Sequence, residues 1–310
     1  MSPARISLQN TPTKPGVTQR PLAFDSAGVT LQGVLYLPEA ASAPLPAVIV
    51  TGAWTTVKGQ MAGTYARELA ARGFAALAFD FTGWGESAGV PRYVEDPAVK
   101  TQDILAAAQA LAALPEVDAG ALSGLGICAS SGYMAAAVAD SAHLQKLALV
   151  APWLHDPAMA EGIYGGPEVA ANLIATSEAE NAAETVLVAA SAEDQSAVMF
   201  QAPYYTEADR GLIPDYDNQF SVLSWKPWLT YDAQASADRL TKPVLMVGSP
   251  AIALPAGAAA YEARTKAPLE KLWLGEDVTQ FDFYDRADVV TSAADAVAGF
   301  FSDETLSSPR

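Results

Sequence analysis

The stretch Ser123-Gly124-Leu125-Gly126-Ile127-Cys128-Ala129-Ser130-Ser131-Gly132 decides the reading of this chain. It closes an apolar run, ALSGLGIC (121–128), and opens a run of helix formers, ASSGYMAAAVAD (129–140). A strand meets a helix there, and the junction has the form small-x-nucleophile-x-small. Side chains larger than those of Gly126 and Ser130, two before and two after Cys128, would collide with neighbouring backbone on so sharp a turn. The turn also sets Cys128 at the N-terminus of the following helix, where free N–H groups and the helix dipole favour a thiolate.

Working outward, the chain alternates strands and helices. PLAFDS (21–26) and VTLQGVLYLP (29–38) read as edge strands joined by Ala27-Gly28, and LPAVIVTGA (45–53) as a strand buried on both faces. A helix follows, ending at Gly73, then the buried strand FAALAFDFTG (74–83). The helix at 96–114 has Pro97 near its start and an apolar stripe through Ile104, Leu105, Ala108 and Leu111. Past Cys128 comes the strand LQKLALVAPW (144–153), which is expected to lie beside the Cys128 strand. The alternation stops over 156–236, a segment rich in Tyr, Trp and Pro, and resumes with KPVLMVGSP (242–250), a helix, PLEKLWLG (268–275) and a last helix at 288–301.

This pattern predicts an α/β chain with a doubly wound, mostly parallel sheet. We divide it into an extended N-terminal arm (1–19), a core (20–155 and 237–303) and a lid or cap insert (156–236) lying over the strand C-termini.

Composition excludes several classes of function. With 310 residues, 51% hydrophobic and 17% charged, the chain has the makings of a large core. A formal charge of −17 opposes both nucleic acid and an anionic membrane surface as partners. The single cysteine allows no internal disulfide, and no apolar run suits a signal peptide or a spanning helix, so a soluble, cytoplasmic protein is expected. Two distant histidines and one cysteine do not build a metal site, and Gly124-Leu125-Gly126 lacks the third glycine of a dinucleotide fingerprint. No cofactor is expected, the partner is a small-molecule substrate, and homo-oligomerisation is left open.

The strands, the turn and the insert together resemble the α/β-hydrolase superfamily. GLGICASSGY (124–133) is similar to its dienelactone-hydrolase-like branch, which uses cysteine, and AFDFTGWGES (78–87) and the loop after LPAVIVTGA fit as well. The resemblance implies Cys128 as nucleophile and an oxyanion hole from the Ala129 N–H and a second N–H at Ala53 or Trp54. It also implies an acid after the strand PVLMVGSP and a histidine after the last strand. Here the acid's loop reads Ala251-Ile252-Ala253-Leu254, and Gln280 occupies the place of the histidine.

The two histidines present are elsewhere. His143 precedes its strand and falls at the far edge of the sheet, whereas His155 follows it on the Cys128 side and is the candidate base, with Asp232 or Asp282 to orient it. Asp80 either ties its loop down, orients a base or binds substrate. Tyr204, Tyr205, Trp225, Trp228 and Tyr231 of the insert divide between lid core and an apolar pocket lining. Three functions compete: a Cys-dependent hydrolase of an ester, lactone or thioester of a small apolar molecule; a lyase, isomerase or cyclase in which Gln280 donates a hydrogen bond; and a ligand-binding protein on the same scaffold.

Overall fold

The computed structural model describes residues 14, 16–40 and 44–303. The chain begins with β1 (Val17–Ser26) and β2 (Val29–Pro38), then β3 (Leu45–Thr51), α1 (Met61–Ala70), β4 (Ala75–Phe79), α2 (Pro97–Ala112), β5 (Val117–Ile127), α3 (Ser130–Asp140) and β6 (Leu144–Val150). An irregular segment follows with α4 (Pro157–Ile163), α5 (Pro167–Ser177), β7 (Val186–Val188), β8 (Ala190–Ser191), β9 (Met199–Phe200), α6 (Pro203–Thr206), β10 (Gln219–Ser221) and α7 (Trp225–Leu229). The chain ends with β11 (Val244–Gly248), α8 (Pro255–Arg264), β12 (Leu269–Trp273), α9 (Asp282–Asp285) and α10 (Ala287–Ser302).

The main sheet runs β1-β2-β4-β3-β5-β6-β11-β12. From β4 across to β12 every pairing is parallel, and only β2 runs the other way, antiparallel to both β1 and β4. As expected, β5 and β6 are neighbours. Every residue of β4 and β11 is buried, because helices cover both faces of a parallel sheet and leave no polar side to the strands. The β1–β2 connection is the Ala27-Gly28 turn, with φ of 51° and 86°, the positive pair that a tight hairpin needs.

The expected N-terminal arm is shorter than its sequence boundary. Val17, Thr18 and Gln19 already pair with Pro38, Leu37 and Tyr36, and Val17 is buried, so cross-strand pairing carries the strand outward past Arg20. Residues 1–13 and 15 lie outside the described residues. Among the described residues, no helix is long and apolar enough to cross a membrane.

Helix α2 starts where its sequence demands. The Asp96 side chain accepts from the Ala98 and Val99 N–H groups, and Pro97 fills the first turn. The loops after β3, β4, β5, β6, β11 and β12 all leave the same edge of the sheet. Aromatic rings of the irregular segment pack there on Trp54, with Phe220, Trp228 and Trp225 at 4.9, 5.2 and 6.4 Å between centroids.

Candidate active site

Between β5 and α3 the backbone turns through Cys128 at φ 57°, a left-handed conformation costly for a residue with a side chain. Three contacts hold it. The Cys128 N–H donates to the Val150 carbonyl at 3.0 Å, which pins the turn to β6. The Ile127 N–H donates to Ser130 Oγ at 3.1 Å, and Ser130 Oγ donates to the Thr51 carbonyl at 2.9 Å, which pins it to β3. A Cβ on Gly126 would stand 2.7 Å from the Ser130 carbonyl oxygen and 2.8 Å from Ser131 Cα, so the turn closes only over glycine.

Three donors stand near the sulfur of Cys128: the Tyr284 hydroxyl and the N–H groups of Ala129 and Trp54. Burial pushes the thiol pKa up, and these donors offset only part of that rise. Of the two expected donors after β3, Trp54 supplies the N–H, whereas the Ala53 N–H is turned toward Met61 Sδ at 3.5 Å. The Trp54 ring packs against Phe220 and Trp228, so one residue serves both the loop and its cover.

Cys128 and Ala129 open on a cavity of about 470 Å³ walled by Trp54, Trp153, Tyr164, Tyr205, Trp228 and Phe281. Gln280 and Tyr284 line it beside the thiol. Gln280 is held on three sides: its Oε1 accepts from the Ala253 N–H at 2.9 Å, and its Nε2 donates to the Ala151 carbonyl and the Tyr284 hydroxyl, both at 2.9 Å. The loops after β11 and β12 therefore meet through neutral groups, the Ala253 N–H and the Gln280 amide.

The histidine expected as base has no nitrogen to offer the thiol. His155 is 1% exposed. Its Nδ1 accepts from the Trp153 indole at 3.0 Å, and its Nε2 lies 2.9 Å from the Trp228 carbonyl oxygen. A carbonyl only accepts, so the ring carries its proton on Nε2. Burial lowers the imidazole pKa below its ordinary value. The reason lies in the aromatic packing of the segment after β6, which sequence order alone does not display. The carboxylates of Asp232 and Asp282 are engaged elsewhere: Asp232 accepts from the Gln234 N–H, and Asp282 from the Thr279 N–H and hydroxyl.

Asp80 ties its own loop down. It accepts from the Lys58 N–H at 2.7 Å, Lys58 Nζ at 2.6 Å and the Glu86 N–H at 3.0 Å, and it does not line the cavity. Tyr204 is fully buried behind the wall, edge-on to Tyr205 and Tyr284 at 5.3 and 5.0 Å. Tyr205 and Trp228 do face the cavity.

Residues 6–176 match the esterase FrsA-like family, more than half of the chain. The chain belongs to that family. It is also similar to the uncharacterized protein YcjY of Escherichia coli K12, at 29% identity over 90% of this chain and 95% of that one. Among solved structures it resembles the hypothetical protein PA2218 of Pseudomonas aeruginosa, with a TM-score of 0.80 and 25% identity over 94% of this chain and 95% of that one. It also superposes on the α/β hydrolase GrgF of Penicillium sp. sh18, with a TM-score of 0.77 and 20% identity, covering 92% and 98% of the two chains. The fold is the α/β-hydrolase fold, and this FrsA-like chain is an enzyme of the hydrolase kind.

Sequence reasoning passed over three residues that build this site. Tyr284 carries no motif, although it stands four residues after Gln280, one helical turn on. Glu95 is fully buried and accepts from the Thr55 N–H, next to Trp54, at 3.2 Å and from the Tyr133 hydroxyl at 2.8 Å. Its ion-pair partner Lys100 lies four residues before Ile104, on the apolar stripe of α2. A lysine at a core position of a helix was the readable sign.

Proposed function

We propose that this FrsA-like protein is a cysteine-dependent acyl hydrolase acting on an ester, lactone or thioester of a small, largely apolar acid, akin to the dienelactone-hydrolase-like branch. One observation carries the reading: a thiol on a strained strand-to-helix turn, met by two backbone N–H groups, opens on a cavity walled by aromatic rings.

Cys128 attacks the acyl carbonyl, and the Ala129 and Trp54 N–H groups take the oxyanion. These donors already serve the sulfur at rest. As the sulfur bonds to carbon, they pass to the new oxyanion with little reorganisation, which is the condition for electrostatic stabilisation. The acyl portion lies against Trp153, Tyr164 and Trp228, and residues 156–236 cover it as a lid. Among the described residues, carboxylates and phosphates find no cationic side chain in the wall, which favours uncharged acyl groups.

The test is intact-protein mass spectrometry after brief exposure to short- and medium-chain p-nitrophenyl esters and acyl thioesters. Acyl mass on the wild-type chain and none on Cys128→Ala is expected, with turnover lost in the variant. Undiminished turnover by Cys128→Ala would overturn the reading.

One observation favours a second reading. With Gln280 beside the thiol in place of a proton-accepting imidazole, the same N–H groups could hold an enolate in a lyase, isomerase or cyclase reaction. Rapid alkylation of Cys128 by iodoacetamide, together with no acyl adduct from any ester or thioester, is the result that selects it.

A further inference from the structure

Acyl transfer to Cys128 requires that the thiol proton leave and that the departing oxygen or sulfur receive one. Neither histidine serves this need. His155 has both nitrogens engaged, and Gln280 exchanges no proton with its partners at neutral pH. The hydroxyls on the cavity wall belong to Tyr164, Tyr205 and Tyr284. The Tyr164 hydroxyl accepts from the Trp228 indole at 2.8 Å. Tyr284 is the one whose oxygen Gln280 Nε2 holds at 2.9 Å in the wall that it shares with Cys128.

Its orientation follows from bonds around it. The Gln280 Oε1 is committed to the Ala253 N–H, so Nε2 must face the phenol and the Ala151 carbonyl. An amide nitrogen only donates, so the Tyr284 oxygen accepts, and its own hydrogen is left for the sulfur or for an atom bound beside it. The ring itself is fixed by Tyr204 and Phe281, at 5.0 and 5.7 Å.

We infer that Tyr284 is the proton-transferring catalytic residue of the Cys128 reaction and that Gln280 is its positioning residue. The inference rests on the acyl-hydrolase reading above. As the sulfur lone pair forms the S–C bond, the thiol proton moves to the phenol oxygen and the phenol proton moves to the leaving atom. That atom keeps the electron pair of the broken C–O or C–S bond. The phenol is neutral before and after, so the step needs no further acid, base or reductant. A neutral relay helps most where the leaving group is a poor anion. Alkyl esters should depend on Tyr284, whereas p-nitrophenyl esters and thioesters, which depart as stable anions, should depend on it little.

The experiment follows the rate of acylation with a series of esters of one acid whose leaving groups range from p-nitrophenol to simple alcohols. Tyr284→Phe keeps the ring and removes the hydroxyl. Expected is a loss of about 100-fold or more on alkyl esters, the scale of a positioned proton donor, against less than about tenfold on the p-nitrophenyl ester. Gln280→Met, which leaves the hydroxyl without its donor, should tilt the series in the same direction by a smaller factor, and it stands in if Tyr284→Phe does not fold. An equal loss across the series, or none, in both variants overturns the inference.

The two proposals fail separately. Turnover by Cys128→Ala removes the acyl-hydrolase reading, whereas an inert Cys128→Ala beside a Tyr284→Phe with no tilt removes only this one. Should no ester react, alkylation by iodoacetamide still decides. Tyr284→Phe should slow it about tenfold at neutral pH by depriving the thiolate of a donor, and an unchanged rate counts against any contact of consequence.

Discussion

Lys100 Nζ stands 2.8 Å from Glu95 Oε1, with the two side chains 3% and 0% exposed, and the same carboxylate holds the Thr55 N–H beside Trp54. Thr55 itself is at φ 63°, so the loop that presents the Trp54 N–H is kept in a costly conformation by a buried ion pair. Tyr133, on the helix that follows Cys128, donates to the same oxygen and couples loop to turn.

Breaking this pair on one side should be severe. Glu95→Ala leaves the Lys100 ammonium buried and unpaired, and a loss of about 3–5 kcal/mol is expected in chemical denaturation. Replacing both partners, Glu95→Gln with Lys100→Met, should recover most of it, because the remaining groups are neutral and Gln can still accept from Thr55. A loss under about 1 kcal/mol for Glu95→Ala would mean that water reaches the pair.

A second buried pair joins the irregular segment to the end of the site. Arg210 Nε and Nη2 donate to Asp285 at 2.5 and 3.0 Å, one residue past Tyr284. A double-mutant cycle on Arg210→Met and Asp285→Asn should give a coupling of about 2 kcal/mol. A value near zero would show that the segment and α9 are held together by other contacts.

The reactivity of Cys128 should follow its burial. Burial raises the thiol pKa, so at pH 7 the neutral thiol predominates, and alkylation should rise about tenfold per pH unit until it levels above the ordinary thiol value of about 8.5. His155 is neutral at that pH because burial lowers its pKa, so no inflection near the ordinary imidazole value of about 6.5 is expected. Measured iodoacetamide rates that level off below pH 7 would contradict both statements.

Gly126→Ala tests the turn itself. The added Cβ, 2.7 Å from a carbonyl oxygen of α3, would push the helix off β5 and cost about 1–3 kcal/mol. Both a lower thermal midpoint and a changed alkylation rate of Cys128 are expected. An unchanged midpoint would show that the turn relaxes without cost.

Part of the site was readable from the residues. The turn at Cys128, between Gly126 and Ser130, follows from local pattern, because a strand-to-helix turn is specified by small residues at fixed spacing. His155 was placed on the correct side of the sheet, but strand order says nothing of which way a ring faces. Trp153 and Trp228 fill its two nitrogens, and Trp228 arrives from a helix with no periodic signature.

By itself, then, the sequence determined the order of strands and helices and the turn at Cys128, since burial periodicity and backbone sterics act between near neighbours in the chain. Only the tertiary structure decided what meets the sulfur. The Tyr284 hydroxyl, the Gln280 amide and the Glu95–Lys100 pair come from loops and helices remote in sequence, and their hydrogen bonds depend on ångström-scale packing that no local pattern encodes.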